Sequence, residues 1–194
     1  MANDFDLAYI IFGIKHSGKS THGKKLAEKL GCPFVDIDDV IEKQTGLSPR
    51  TIYTDYGPGK FMEIEEKICS VLATKCEGKR FVISTGGAIC DNAPAIILLR
   101  NLGTFVFLEV PEKLACDRII AKMTYDTDGT ILNVPAFIAS KNPQNEDDVR
   151  KIFKEVYEAR TATYKTFVDT TVQVIDSSEE ENFEHILNAL GIRE

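Results

Sequence analysis

Nothing in this chain approaches a membrane span. Its apolar runs are all short, and its N-terminus lacks a charged region followed by an apolar core, so neither a bilayer nor a secretory route is expected. Positive charge is not in excess either. The 194 residues carry a formal net charge of −7, which argues against a nucleic-acid partner, because phosphate backbones call for a basic face. The five cysteines, Cys32, Cys69, Cys76, Cys90 and Cys116, are odd in number and contain no C-x-x-C pair. They read as reduced, mostly buried thiols rather than a disulfide framework. Histidine is scarce, and His16, His22 and His185 are not spaced to join a cysteine in a zinc site. Arginine is scarce too, with seven in the chain, so any that reaches a cleft carries weight. No repeat and no linker divides the sequence. The expectation is a cytoplasmic protein with one domain over residues 1–194, taken to be a monomer, in which 43% hydrophobic residues are enough to build a core.

What is present is organised around one stretch, Gly13-Ile14-Lys15-His16-Ser17-Gly18-Lys19-Ser20-Thr21, which fits G-x-x-x-x-G-K-[ST]. The apolar run Ala8-Tyr9-Ile10-Ile11-Phe12 precedes it and reads as a buried parallel strand. Leu26, Ala27 and Leu30 follow at helical spacing, with Gly31 at the cap. Gly13 and Gly18 permit a tight turn that points successive N–H groups inward as an anion cradle, and the helix start adds its dipole. Lys19 then supplies a charge for the β and γ phosphates of a nucleotide, and Ser20 a hydroxyl for Mg²⁺. Lys15, Lys24 and Lys25 concentrate further positive charge here.

Strand and helix patterns alternate along the rest of the chain. Strands are expected over residues 33–38, 80–85, 104–108 and 171–175. Between them helices are read near Val40-Ile41, from Ser48-Pro49, through Phe61, Ile64, Ile68, Val71 and Leu72, after Asp91 through Ile96, Ile97 and Leu99, and from Pro111. Gly57-Pro58-Gly59 reads as a turn. From Met123 to about Asn145 the periodicity fails, which marks a lid loop. A helix resumes at Asp147, and Ser178 with Glu181 resembles a capping box for the last one. Strands joined by helices give a parallel sheet with right-handed crossovers, helices on both faces, and ligands outside the carboxyl ends of the strands. That rule gathers the phosphate loop, Asp36, Asp38 and Gly86-Gly87 into one cleft. Asp36 and Asp38, two apart on a strand end, are expected to share a face. One then serves Mg²⁺ and the other the attacking hydroxyl, although an aspartate at such a turn equally suits a helix cap.

At this point the residues resemble the shikimate kinase family over nearly the whole chain. The resemblance is carried by the phosphate loop, by Asp36-Ile37-Asp38 with Ile41-Glu42, by Phe61-x-x-Ile64-Glu65, by Thr85-Gly86-Gly87, by Leu108 to Arg118 and by Arg160-x-x-x-Tyr164. It implies a five-stranded parallel α/β sheet in the nucleoside monophosphate kinase style with a mobile lid over roughly residues 123–145. It also implies ATP, Mg²⁺ and phosphoryl transfer to a small hydroxylated acid. Gly13, Lys15, His16, Ser17, Gly18, Lys19, Ser20, Thr21 and Arg118 would bind the nucleotide, with Arg118 near adenine. Ser20 and Asp36 would serve the metal, and Asp38 would orient the accepting hydroxyl. Gly86, Gly87 and Arg160 would hold the acceptor, Arg160 by its carboxylate.

Three positions depart from the family pattern. Met62 stands where the resemblance implies an arginine, Ala88 replaces the third glycine of the turn, and Val134 replaces a lid arginine before Pro135. Lys141 is one candidate for the missing lid charge. The departures leave two alternatives open: a kinase of a less anionic polyol or sugar acid, and an ATP-binding protein of this fold without catalysis. A nucleoside monophosphate kinase fits less well, since this lid has no arginine.

Overall fold

The computed structural model describes residues 8–193; the rest of the expected domain, residues 1–7 and 194, lies outside them. Five strands form one parallel sheet: β1 (Ala8–Phe12), β2 (Phe34–Asp36), β3 (Val82–Ser84), β4 (Gly103–Glu109) and β7 (Thr170–Gln173), in the order β2-β3-β1-β4-β7. The central strands are apolar on both faces because helices cover both. Ile10, Ile83 and Phe105 stand side by side in register, each without exposed surface. α1 (Lys19–Leu30) joins β1 to β2, and α8 (Glu179–Ala189) packs beside it. The remaining crossovers run the other way across the sheet and, being right-handed, place α3 (Pro49–Cys76), α4 (Ala93–Arg100) and α7 (Glu146–Lys165) on the opposite face. Crossovers from β1 and β3 therefore leave in opposite senses, which opens a crevice at their carboxyl ends. No helix among the described residues is long and apolar enough to cross a membrane.

Several elements differ from expectation for identifiable reasons. β2 ends at Asp36, and α2 (Ile37–Thr45) starts at once, capped by the Asp36 carboxylate. Asp38 thus lies in the first turn of a helix, not on a strand. The expected turn at Gly57 is a break inside α3, where Gly57 adopts φ 85°, ψ 164° before the chain resumes its helix at Pro58. In the second half of α3 the buried stripe runs Phe61, Glu65, Ile68, Leu72 and includes Cys69, whereas Val71 is 42% exposed. Ile97 of α4 is 68% exposed. The expected loop over residues 123–145, which follows α5 (Glu112–Ile120), holds a small antiparallel hairpin, β5 (Thr124–Tyr125) with β6 (Ile131–Leu132), and a one-turn helix α6 (Ala136–Ala139). Val134 and Ile138 are buried, so the base of this segment belongs to the core.

Candidate active site

Residues 13–20 wrap the carboxyl end of β1. Gly13 at φ 155° and Gly18 at φ 90° take backbone angles that side chains disfavour, and a Cβ on Gly13 would sit 2.5 Å from Ser17 Oγ and 2.9 Å from the Leu108 carbonyl. His16 also has positive φ, 64°, and its carbonyl accepts a 2.9 Å hydrogen bond from Arg118 Nη1. Arg118 therefore braces the loop from α5. Burial, with Lys122, Lys15, Lys19 and Arg118 all nearby, lowers the His16 imidazole to about 4, so it is neutral at physiological pH. Lys19 is buried at the start of α1, and its ammonium donates to the Ile14 carbonyl at 2.9 Å. Burial lowers it to about 8 although Asp38 and Asp36 pull the other way. An anion in the loop would offset that desolvation, which is the condition a polyphosphate meets.

Ser20 and Asp36 meet directly: the hydroxyl donates to Asp36 Oδ2 at 2.5 Å. Asp36 Oδ1 accepts the Asp38 amide at 3.0 Å. The capping role thus falls to Asp36, and the cap, not strand alternation, sets Asp38 beside it. Asp38 Oδ1 is buried with no hydrogen-bond partner among the described residues, and burial with Asp36 close by raises its carboxyl above the usual range. Gly86 lies against it: a Cβ there would be 3.2 Å from Asp38 Oδ1 and 3.2 Å from Glu65 Oε1. Gly87 lies against the phosphate loop, where a Cβ would be 3.0 Å from the Lys15 amide nitrogen. Gly87 lets the β1 and β3 loops touch, and Gly86 leaves room for the two carboxyl groups.

Arg160 of α7 reaches the same place. Its Nη1 donates to the Gly87 carbonyl at 3.2 Å, its Nη2 pairs with Asp91 at 2.9 Å, and the guanidinium lies 5.0 Å from the centre of the Phe137 ring. Tyr164 is fully buried and donates to the same Gly87 carbonyl at 3.1 Å. Together these groups border a cleft of about 570 Å³, walled among others by Lys15, Asp38, Gly86, Gly87, Phe137 and Arg160.

Of the residues expected in the site, those of the loop, Asp36, Asp38, Gly86, Gly87, Arg118 and Arg160 converge on this region. Of the loop residues, Lys15 and His16 join the cleft wall; Gly13, Ser17, Gly18, Lys19, Ser20 and the exposed Thr21 do not, nor do Asp36 and Arg118. Lys141 is not in the wall, whereas Lys122 is. Glu65 entered the sequence reading only as part of Phe61-x-x-Ile64-Glu65, with no role in the site. It is 1% exposed, one oxygen accepts from Asn92 Nδ2 at 2.9 Å, and the other has no partner. Burial first, then Asp38 and Asp91, raise it to about 7, against the 2.9 Å bond from Asn92. The available signal was a carboxylate on a buried helical stripe. Arg50 was missed as well. It enters the wall from the first turn of α3 and donates to the Val134 carbonyl at 2.7 Å.

The loop suits a nucleotide polyphosphate, because its glycines leave a cradle that any Cβ would fill and a buried ammonium waits inside it. The Ser20 hydroxyl and Asp36 carboxylate are an oxygen pair of the kind a hard divalent cation takes beside phosphates.

Comparison with known proteins agrees with this chemistry. The family model described as Shikimate kinase matches residues 15–191. A shikimate kinase from Thermodesulfovibrio yellowstonii is 34% identical over 110 residues, which cover 57% of this chain and 62%, under two thirds, of that protein. One from Thermoanaerobacter pseudethanolicus is 31% identical over 181 residues, covering 93% of this chain and 94% of the relative. Among solved structures, the shikimate kinase of Acinetobacter baumannii in complex with shikimate is 25% identical, with a TM-score of 0.76 over 98% of this chain and 97% of that one.

Proposed function

Since this chain belongs to the shikimate kinase family, we propose that it transfers the γ-phosphoryl group of ATP to a hydroxyl of shikimate. The observation that carries this reading is the unpartnered Asp38 oxygen, set between the phosphate loop and Gly86 at the floor of the cleft. Lys19 and the loop amides hold the phosphate chain. Arg118 keeps the loop in shape through the His16 carbonyl. Asp38 orients the acceptor hydroxyl and takes its proton as the oxygen bonds to the γ-phosphorus and the bond to the bridging oxygen of ADP breaks. Its raised carboxyl is a better proton acceptor than a solvated aspartate. Ser20 and Asp36 would hold Mg²⁺, which would neutralise charge on the phosphate oxygens. Gly86 and Gly87 let the acceptor lie against bare backbone, and Arg160 takes its carboxylate. The segment over residues 123–145 acts as the lid, its tip the exposed hairpin. In this reading the protein is a cytoplasmic enzyme of aromatic amino-acid biosynthesis, working as a monomer.

The test is ADP release with shikimate and with a panel of sugar acids and polyols. Saturable turnover with shikimate, at lower KM than any other acceptor, is expected. A second reading, a less anionic acceptor, draws on the apolar wall of Phe61, Val134, Pro135, Ala136 and Phe137; turnover confined to uncharged polyols would replace the first reading with it. Nucleotide binding without transfer to any acceptor would remove both.

A further inference from the structure

Arg160 carries its charge already engaged. Asp91 pairs with one end of its guanidinium, the Gly87 carbonyl takes another N–H, and Phe137 covers a face. Asp38 lines the cleft floor, and the buried Glu65 lies behind it, its Oε1 3.2 Å from where a Gly86 Cβ would stand. An anionic acceptor entering here meets a compensated guanidinium, the Asp38 carboxyl and two wall lysines, Lys15 and Lys122, which are point charges without a guanidinium's fork. None of these offers a carboxylate an unpaired bidentate partner.

Arg50 changes the balance. It stands on the arm of α3 that precedes the Gly57 break, so it is carried separately from Phe61 and Glu65 on the other arm. Its Nη1 is anchored on the Val134 carbonyl at 2.7 Å, and no carboxylate among the described residues pairs with it. A guanidinium has five N–H donors in a rigid fork, so one anchored nitrogen leaves the rest for a ligand. The same cleft is walled by Pro49, Tyr53, Val134 and Phe137, surfaces that exclude water and strengthen a charge-assisted bond. Met62 contributes nothing to the cleft wall; its carbonyl accepts from Asn92.

We propose that Arg50 is the specificity-determining cation of the acceptor cleft, gripping the carboxylate of the acceptor together with Arg160 and tying that grip to the segment at Val134. The proposal rests on the reading that the acceptor is a hydroxylated acid. A chain without arginine at residue 62 or 134 thereby recovers an uncompensated cation from a different element.

The experiment compares wild type, Arg50→Ala and Arg50→Gln, with shikimate and with its uncharged methyl ester as acceptors. Arg50→Gln removes the charge but keeps a donor for the Val134 carbonyl, so it reports even where the alanine variant folds poorly. Both variants are expected to raise KM for shikimate about 10–100-fold, with kcat within about threefold and KM for ATP unchanged. The ester is expected to be a poor acceptor for wild type and no poorer for either variant. Equal losses on acid and ester, or a fall in kcat at constant KM, would mean that Arg50 only braces the chain, and would overturn the proposal while leaving shikimate phosphorylation standing. A wild-type enzyme that ignores shikimate and phosphorylates only uncharged acceptors would remove the underlying reading, and this proposal with it.

Discussion

Asp38 and Glu65 face the same small volume over Gly86, each with one buried oxygen that nothing among the described residues satisfies. Burying a carboxyl without a partner is costly, and a residue pair that bears this cost twice is organised for something that enters from outside. If Asp38 is the proton acceptor, Asp38→Asn should lower kcat by about 10²–10⁴-fold while nucleotide affinity, read by titration calorimetry, changes little. Glu65 gives a second test through pH. Its carboxyl rises from the usual 4.5 to about 7, so between those values the folded protein binds more protons than the unfolded chain. Stability then falls as pH rises through that window. Melting curves from pH 4.5 to 8 should show the decline in wild type and a flatter profile in Glu65→Gln. A steeper decline in the variant would contradict the assignment. Lys19 and Ser20 were readable from the sequence because the phosphate-loop pattern places them, and Asp36 because it ends an apolar strand in a carboxylate. Glu65 was not, because among apolar residues at helical spacing a single carboxylate looks like an exposed neighbour one position away from Ile64. Arg50 was invisible for another reason: only the folded contact with Val134, 84 positions later, brings it to the cleft.

At the scale of elements, the site depends on how closely two loops approach. Gly87, after β3, lies where a Cβ would stand 3.0 Å from the Lys15 nitrogen and 3.3 Å from the Ile14 carbonyl carbon, both backbone atoms that cannot swing aside. Gly87→Ala should therefore push the phosphate loop off its bed. We expect KM for ATP to rise about tenfold or more, with thermal stability much less affected, because the clash is at the sheet's open end rather than within it. An unchanged KM would show that the loops have slack. The order of strands and helices was legible from alternating apolar runs and glycine stops, but the transition from β2 to α2 was not. A strand that ends in its own helix cap leaves no loop to read, and the period-2 pattern runs on by eye to Asp38. The hairpin of β5 and β6 was equally hidden, since two-residue strands are too short for any periodicity to register.

Across the whole molecule, stability and turnover are expected to reside in different places. The sheet is closed tightly at β1 and β4: a methyl on Gly103 would overlap the Ala8 carbonyl in the adjacent strand. Ala8, Ile10, Ile11 and Phe12 of β1 and Phe105, Val106 and Leu108 of β4 have no exposed surface, so the clash cannot be relieved without moving the core. Gly103→Ala should cost about 1–3 kcal/mol, which for a domain of this size lowers Tm by roughly 2–12 °C, while KM values measured well below the new Tm stay near wild type. The tip of the proposed lid should behave in the opposite way. Tyr125 is 56% exposed and Leu132 40%, whereas Val134 and Ile138 beneath them are buried. Replacing residues 126–130 with a two-residue Asn-Gly turn removes exposed chain and keeps the buried base, so Tm should move by no more than about 2 °C. If that tip closes over the reacting groups, its loss admits water, and ATP hydrolysis without acceptor should rise relative to transfer. A shortened protein that melts many degrees lower would place the tip in the folding core; one that transfers phosphate as tightly as wild type would deny it any part in closure.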